Sequence, residues 1–261
     1  MSNNDKVSYV EYAGSLYYSN GTDSGRIESG IWFPWALPTP TIPTVATISG
    51  ALYKGWYQTA VAYYNNVTGE EGGVSPSSSY ELAATGGLRV TLPSATSGAT
   101  HVNVYVSSVN GSIPMLVATV ATGTAYYDVT LEASIAQGRE AFQRYEEPIP
   151  AGVPFMHNGR LCTYSGGAIN IGLPGRPGYY VPTDPRLEFP AAVTNAISGQ
   201  NGVYVTADKT YWFAGTDILD VQNVVDVLPY GGVAGTAFSM PHTPVVGWFS
   251  EKGFILADTS G

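Results

Sequence analysis

Gly14-Ser15-Leu16-Tyr17-Tyr18-Ser19-Asn20-Gly21, Gly159-Arg160-Leu161-Cys162-Thr163-Tyr164-Ser165-Gly166, Gly202-Val203-Tyr204-Val205-Thr206-Ala207-Asp208 and Gly253-Phe254-Ile255-Leu256-Ala257-Asp258 carry one phrase: a glycine, a short apolar or aromatic run, then a small polar turn. The third copy starts 43 residues after the second, and the fourth 51 after the third. A spacing of roughly 40 to 50 residues is that of small antiparallel blades. The first two copies stand 145 residues apart, which leaves one such unit plus about 100 residues, the size of an inserted β-sandwich. The chain therefore reads as all-β. A propeller-like or blade-type antiparallel domain, residues 1–36 and 146–261, is interrupted by a linker and a β-sandwich over 37–145.

Composition fits that class. The 261 residues include 31 Gly, 18 Pro and 19 Tyr, and only 12% are charged, about half the usual share. So few charges leave little to clothe the solvent faces of helices. With a net charge of −9, 11 Lys plus Arg and no basic cluster, binding that works by neutralising nucleic-acid phosphates is not expected. No run approaches the roughly 18 apolar residues of a membrane span, and residues 1–6 lack the apolar core of a signal peptide. Synthesis and folding in a reducing cytoplasm are expected, whatever the final location. The single Cys162 has no disulfide partner within the chain and reads as a small buried filler.

Residues 7–19 mix apolar and polar positions at short spacing and end at Asn20-Gly21, a two-residue hairpin signal with Arg26 and Ile27 on the return strand. Residues 31–43 hold Pro34, Pro38, Pro40 and Pro43. Proline fixes φ and removes donors, so this stretch reads as an extended, polyproline-like linker outside any sheet. Trp32, Phe33 and Trp35 are its aromatic anchors. They either pin the linker to its own domain or meet a partner, since aromatic clusters also serve as interface hot spots. From 51 to 129, apolar alternation with turns every 8 to 12 residues or so reads as a sandwich.

Within that region, 57–76 runs from an aromatic strand, Tyr57-Gln58-Thr59-Ala60-Val61-Ala62-Tyr63-Tyr64, through Gly69-Glu70-Glu71-Gly72-Gly73 to Ser75-Pro76. It resembles the central strand, turn and exit of a fibronectin type III domain. Val102-Asn103-Val104-Tyr105-Val106-Ser107 resembles the following strand, and Thr124-Ala125-Tyr126-Tyr127-Asp128 the closing one. The tryptophan usual in the second strand of that family has no counterpart here. The resemblance implies a fibronectin- or immunoglobulin-like sandwich.

A second resemblance spans the rest. The order Arg160-Leu161-Cys162, Gly166-Gly167-Ala168-Ile169-Asn170, a Pro-Gly and aromatic loop to Tyr179-Tyr180, Gly202-Val203-Tyr204-Val205 and Thr210-Tyr211-Trp212-Phe213-Ala214-Gly215 is similar to repeats in tail and neck proteins of tailed bacteriophages. So are Pro34-Trp35-Ala36-Leu37-Pro38 and the final Gly253-Phe254-Ile255-Leu256-Ala257-Asp258. That resemblance implies a structural virion protein forming a homo-oligomeric ring or collar at the head-to-tail junction or tail. Its partners would be tail, portal, adaptor or capsid proteins. The family's members usually run longer and can close a propeller. Here either the fold closes smaller or neighbouring copies cover the open strand edges.

Chemistry-bearing motifs are sparse. His101, His157 and His242 are isolated, with no metal-ligand spacing, no nucleophile elbow and no phosphate loop. Asp217, Asp220 and Asp226 fall close together, Asp208, Asp217 and Asp220 could meet Ca²⁺ in a turn but lack an EF-hand spacing, and Glu70-Glu71 falls in a turn where solvation is the expected fate. No catalytic residue, metal or cofactor is assigned, and the chain is not expected to be an enzyme. The other class considered is a carbohydrate- or host-receptor-binding module, with Trp32 or Tyr179-Tyr180 stacking on sugar rings.

Overall fold

The structure is a computed structural model and describes residues 6–135, 138–141, 146–219, 224–240 and 243–258. It is all-β, with 52% of the chain in strands and 1% helical. The only helical turn among the described residues is a 3-10 turn at Glu132–Ser134. The chain divides into two compact units, Met1–Trp35 with Ile149–Gly261, and Ala36–Pro148. The expected joints were after residues 36 and 145.

The first unit opens with a four-stranded antiparallel sheet, in order β1 (Ser8–Tyr12), β2 (Ser15–Ser19), β3 (Ser24–Glu28) and β4 (Ile31–Phe33). Two differences from the sequence reading have local causes. The β2–β3 loop has four residues rather than two, because the Asn20 carboxamide accepts the backbone N–H groups of Thr22 and Asp23 at 3.0 and 2.6 Å and so builds its own turn. Residues 31–33 were expected outside any sheet. They form β4 at its edge, since Pro34 lies just beyond the last paired residue, where no ladder donor is needed.

The second unit contains β5 (Val45–Leu52), β6 (Gly55–Tyr64), β7 (Glu71–Val74), β8 (Ser78–Leu82), β9 (Gly86–Thr91), β10 (His101–Val106), β11 (Met115–Ala121), β12 (Tyr126–Val129) and β13 (Glu147–Pro148). One sheet runs β11-β10-β6-β7 with β8 also on β6, and the other runs β12-β9-β5. They share a core in which Tyr57, Val61 and Tyr63 of β6 and Val102, Val104 and Val106 of β10 meet Leu88 and Val90 of β9. Each set sits at alternate positions of its strand, as a half-buried pleat requires. β5 escapes the sequence reading because Ala46, Thr47, Ser49, Gly50 and Ala51 give it no apolar alternation. Residues 124–128, expected as the closing strand, fall largely in β12, which pairs with β9; the strand beside β10 is β11.

The first unit continues with β14 (Val153–His157), β15 (Arg160–Ser165), β16 (Ala168–Ile171), β17 (Tyr179–Tyr180) and β18 (Leu187–Glu188), then β19 (Asn195–Ser198), β20 (Gly202–Thr206), β21 (Thr210–Ala214) and β22 (Val224–Leu228), and ends with β23 (Phe238–Ser239), β24 (Val245–Ser250) and β25 (Gly253–Asp258). Its sheets run β14-β15-β16-β18, β19-β20-β21-β22 and β23-β24-β25. The four copies of the repeated phrase are β2, β15, β20 and β25. Each of the first three is the second strand of a four-stranded sheet, and the fourth is the edge of a three-stranded one.

The leading glycines do different work. Gly14 and Gly159 close two-residue turns in which Ala13 and Asn158 precede them, all four with positive φ, the geometry that matches strand twist. Gly202 instead lets its strand approach Trp212, since a Cβ there would sit 2.7 Å from the indole. β20 is buried along its whole length because it lies between two clusters. Val203 and Val205 pack with Phe155, Ile169 and Phe213, and Tyr204 packs with Trp212, Val246 and Trp248.

Asn195, fully buried at the start of β19, uses its whole hydrogen-bonding capacity. Its amide donates to Thr206 Oγ1 and the Val233 carbonyl, both at 3.0 Å, and its oxygen accepts from the N–H groups of Thr236 and Ala237. Cys162 is buried in β15, and desolvation pushes its thiol up to about 12. The thiolate is the reactive form. Iodoacetamide at neutral pH is therefore expected to leave the folded chain unmodified and to label it fully in denaturant. Rapid labelling of the native chain would contradict this packing.

Candidate interaction surface

The residues considered for chemistry come together only in pairs: His157 and Asp217 line one small recess with Cys162, and Asp208 and Asp226 flank Lys209 and Tyr211. His101 begins β10, its Nδ1 2.9 Å from the Thr100 hydroxyl. His157 ends β14 and is buried, its Nδ1 2.9 Å from Ser198 Oγ. Asp208 accepts from the Tyr211 hydroxyl at 2.9 Å, Asp217 from the N–H of Leu219 at 3.0 Å, and Asp226 from Lys209 at 2.9 Å. His242 and Asp220 lie outside the described residues. Among those described, no group of three or more His, Cys, Asp or Glu is placed to hold a metal ion. No helix among them is long and apolar enough to cross a membrane.

His157 carries a pH signature. Its pKa is lowered, chiefly by desolvation, so the folded state resists the proton that the unfolded chain accepts. Its share of stability is complete above the unfolded histidine value near 6.5 and is lost as pH falls through the folded value. Denaturant midpoints measured on His157→Gln are expected to fall less between about pH 7 and 5 than those of the wild type. Parallel acid limbs would refute the assignment.

The aromatic anchors separate. Trp35 is interior: its indole N–H donates to the Gly25 carbonyl at 2.7 Å, and it packs with Tyr17, Ile149 and Leu161. Tyr179 is also interior, with the Arg176 guanidinium 4.4 Å from its ring centroid. Neither offers a face to a partner. Phe33 is half-buried, and the Arg26 guanidinium lies 5.4 Å from its ring centroid. Tyr180 is half-buried and lines a recess of about 370 Å³ with Asn170, Asp184 and Arg186. Trp32 alone of the five is exposed, at 48%.

An exposed apolar cluster that sequence reading missed lies on β23–β25. On β24 and β25, Val246, Trp248, Ile255 and Ala257 point into the core, so the alternate residues form the outer face. There Phe249 lies opposite Phe254, and Phe238 stacks on Phe254 with centroids 5.6 Å apart and planes within 5°. Phe249 and Phe254 have centroids 5.1 Å apart. Phe249, Phe254 and Leu256 are each at least half exposed, and Val233 and Met240 are exposed as well. Gly247 makes the arrangement possible, because a Cβ there would meet the Phe238 ring at 2.6 Å. The signal was faint: Phe238, Phe249 and Phe254 are spread over seventeen positions, and only strand register brings them together.

The first sheet has an outer face of another kind. Tyr9, Glu11, Leu16, Tyr18, Ile27 and Trp32 alternate with the core-facing residues of β1 to β4, and the indole N–H edge of Trp32 lies over Gly25. No protein-family model matches the chain, and no curated protein matches it.

Proposed function

We propose that the chain is a structural subunit of a tailed-phage virion, assembling as a ring or collar at the neck or tail. In this reading residues 1–35 with 149–261 are its blade-type domain and 36–148 its fibronectin-like insertion. The observation that carries an assembly role is the phenylalanine face of β23–β25. Contiguous exposed apolar surface marks interaction sites, and interface cores are depleted of charge and enriched in aromatics. Three clustered phenylalanines beside Leu256, Val233 and Met240 have that composition. The placement in a phage virion rests on the sequence resemblance. Partners are further copies of the chain and other virion proteins.

Light scattering at several concentrations tests the role. The wild type is expected to form a discrete oligomer, and Phe249→Asp with Phe254→Asp to return it to monomer with an unchanged circular dichroism spectrum. A wild type that stays monomeric at every concentration and binds no virion protein would overturn the reading.

A further inference from the structure

We propose that the outer face of the first sheet is a binding platform for a flat, neutral, β-linked oligosaccharide, with Trp32, Tyr18 and Tyr9 as its stacking surfaces. This inference does not rest on the virion reading. Tyr9 and Tyr18 are directly opposed on β1 and β2, Tyr18 is opposed to Gly25 on β3, and Trp32 of β4 leans over that glycine. A Cβ at position 25 would fall 2.3 Å from the indole nitrogen, so the missing side chain is what lets the tryptophan lie inward across the sheet. The indole N–H then donates to the Tyr18 hydroxyl at 2.9 Å. One ring is thereby held in place before any ligand arrives, which lowers the ordering cost of binding.

The chemistry differs from that of the phenylalanine face. Tyr9 is 70% exposed and Trp32 48%, and each pairs an apolar ring with a polar tip. The Tyr18 hydroxyl accepts from the indole and keeps its own proton to donate. Glu11, two residues along β1 from Tyr9 on the same face, adds an exposed acceptor. A pyranose whose hydroxyls are all equatorial presents C–H groups to a ring face and hydroxyls around its rim. Aromatic faces with donors and acceptors at their edges match that pattern, and a purely apolar partner would leave those edges unpaired.

Size points the same way. Four strands about 4.8 Å apart and up to five residues long at about 3.4 Å per residue give a face of roughly 300 Å². Each side of a stable protein complex buries roughly 800 Å². A few sugar rings in a flat ribbon fill the smaller area.

The test titrates cellohexaose, xylohexaose and chitohexaose into the full chain, read by calorimetry and tryptophan fluorescence. Saturable binding to at least one is expected, weakened at least about tenfold, or about 1.4 kcal/mol, by Trp32→Ala and by Tyr9→Ala. Trp56→Ala, on another exposed tryptophan, and Phe254→Asp should leave it unchanged, the latter separating this site from the assembly face. Tyr9 is too exposed for its loss to threaten folding. No binding by any of the three sugars, or binding that survives both platform variants, overturns the proposal. So does a Trp32→Ala variant that breaks up an oligomer, since the face would then be a protein contact.

Discussion

Trp248→Ala is expected to cost the first unit about 3–5 kcal/mol, the range for removing a buried Trp or Phe side chain, and to lower its thermal midpoint by about 10 °C. Trp248 is the largest fully buried side chain in the chain. It sits where β24 meets the sheet of β19–β22, its ring centroid 5.5 Å from that of Tyr204, with Ile197, Trp212 and Val246 around it. Gly232 touches its edge closely enough that a Cβ there would lie 2.8 Å away. An alanine leaves a hole that Tyr204, Ile197, Trp212 and Val246 cannot close, because each is held by a paired strand. Typical domains are stable by only 5–15 kcal/mol or so, so much of the margin goes.

Trp248→Phe supplies the control. The indole Nε1 is buried without a hydrogen-bond partner among the described residues, and such a donor costs about 1–3 kcal/mol. Phenylalanine gives up some packing but removes that cost, so it is expected to stay within about 1 kcal/mol of the wild type. Urea melts of both variants, followed by tryptophan fluorescence and far-ultraviolet circular dichroism, decide. Equal losses for Ala and Phe would show that the indole N–H has a partner and that the cavity argument is incomplete.

The fold was legible where local chemistry and long-range packing agree. Asn158-Gly159 adopts the turn its residues favour, and β10 falls on the alternation of Val102, Val104 and Val106. The reading faltered where a side chain rewrote the local rule, as Asn20 does by bonding to Thr22 and Asp23. β5 was invisible because its small residues gain their place from pairing with β9. The candidate surfaces were less legible for a similar reason. Trp32 stood out as a lone aromatic, but its position depends on Gly25 and Tyr18. Phe249 and Phe254 become neighbours only through strand register. Asn195 looks like an ordinary polar residue, and only its four bonds to residues 206, 233, 236 and 237 show what holds the start of β19.

Glu71 is the clearest reversal, and Glu71→Ala is expected to destabilise the second unit by about 3 kcal/mol. The sequence puts it in a solvated turn beside Glu70. In the structure it belongs to β7, with its side chain 16% exposed. Its Oε1 accepts from Asn103 Nδ2 at 2.6 Å and from the Tyr105 hydroxyl, and its Oε2 from Arg139 at 2.6 Å. These donors lie more than thirty residues away in sequence, so no local pattern announces them. Asn103 and Tyr105 are themselves buried, and alanine would leave both donors with an unmet partner, each worth about 1–3 kcal/mol. Glutamine keeps an acceptor for one of them but turns a carboxamide toward Arg139, so Glu71→Gln should fall between. A double-mutant cycle with Tyr105→Phe should show a coupling of about 1 kcal/mol or more.

The same contact fixes an alkaline limb. Burial first, then the Glu71 carboxylate, raises the Tyr105 pKa far above the ordinary tyrosine value. The folded state thus holds a proton that the unfolded chain releases, and this share of stability, complete below about pH 10, is lost as pH rises beyond it. Tyr105→Phe should make that limb shallower without abolishing it, since burial also raises Tyr57 and Tyr63 in this unit, and Glu71→Ala should shorten it by removing the carboxylate's part of the shift. Additivity in the cycle, or an alkaline limb unchanged in both variants, would show that Glu71 is held by its strand and not by Asn103, Tyr105 and Arg139.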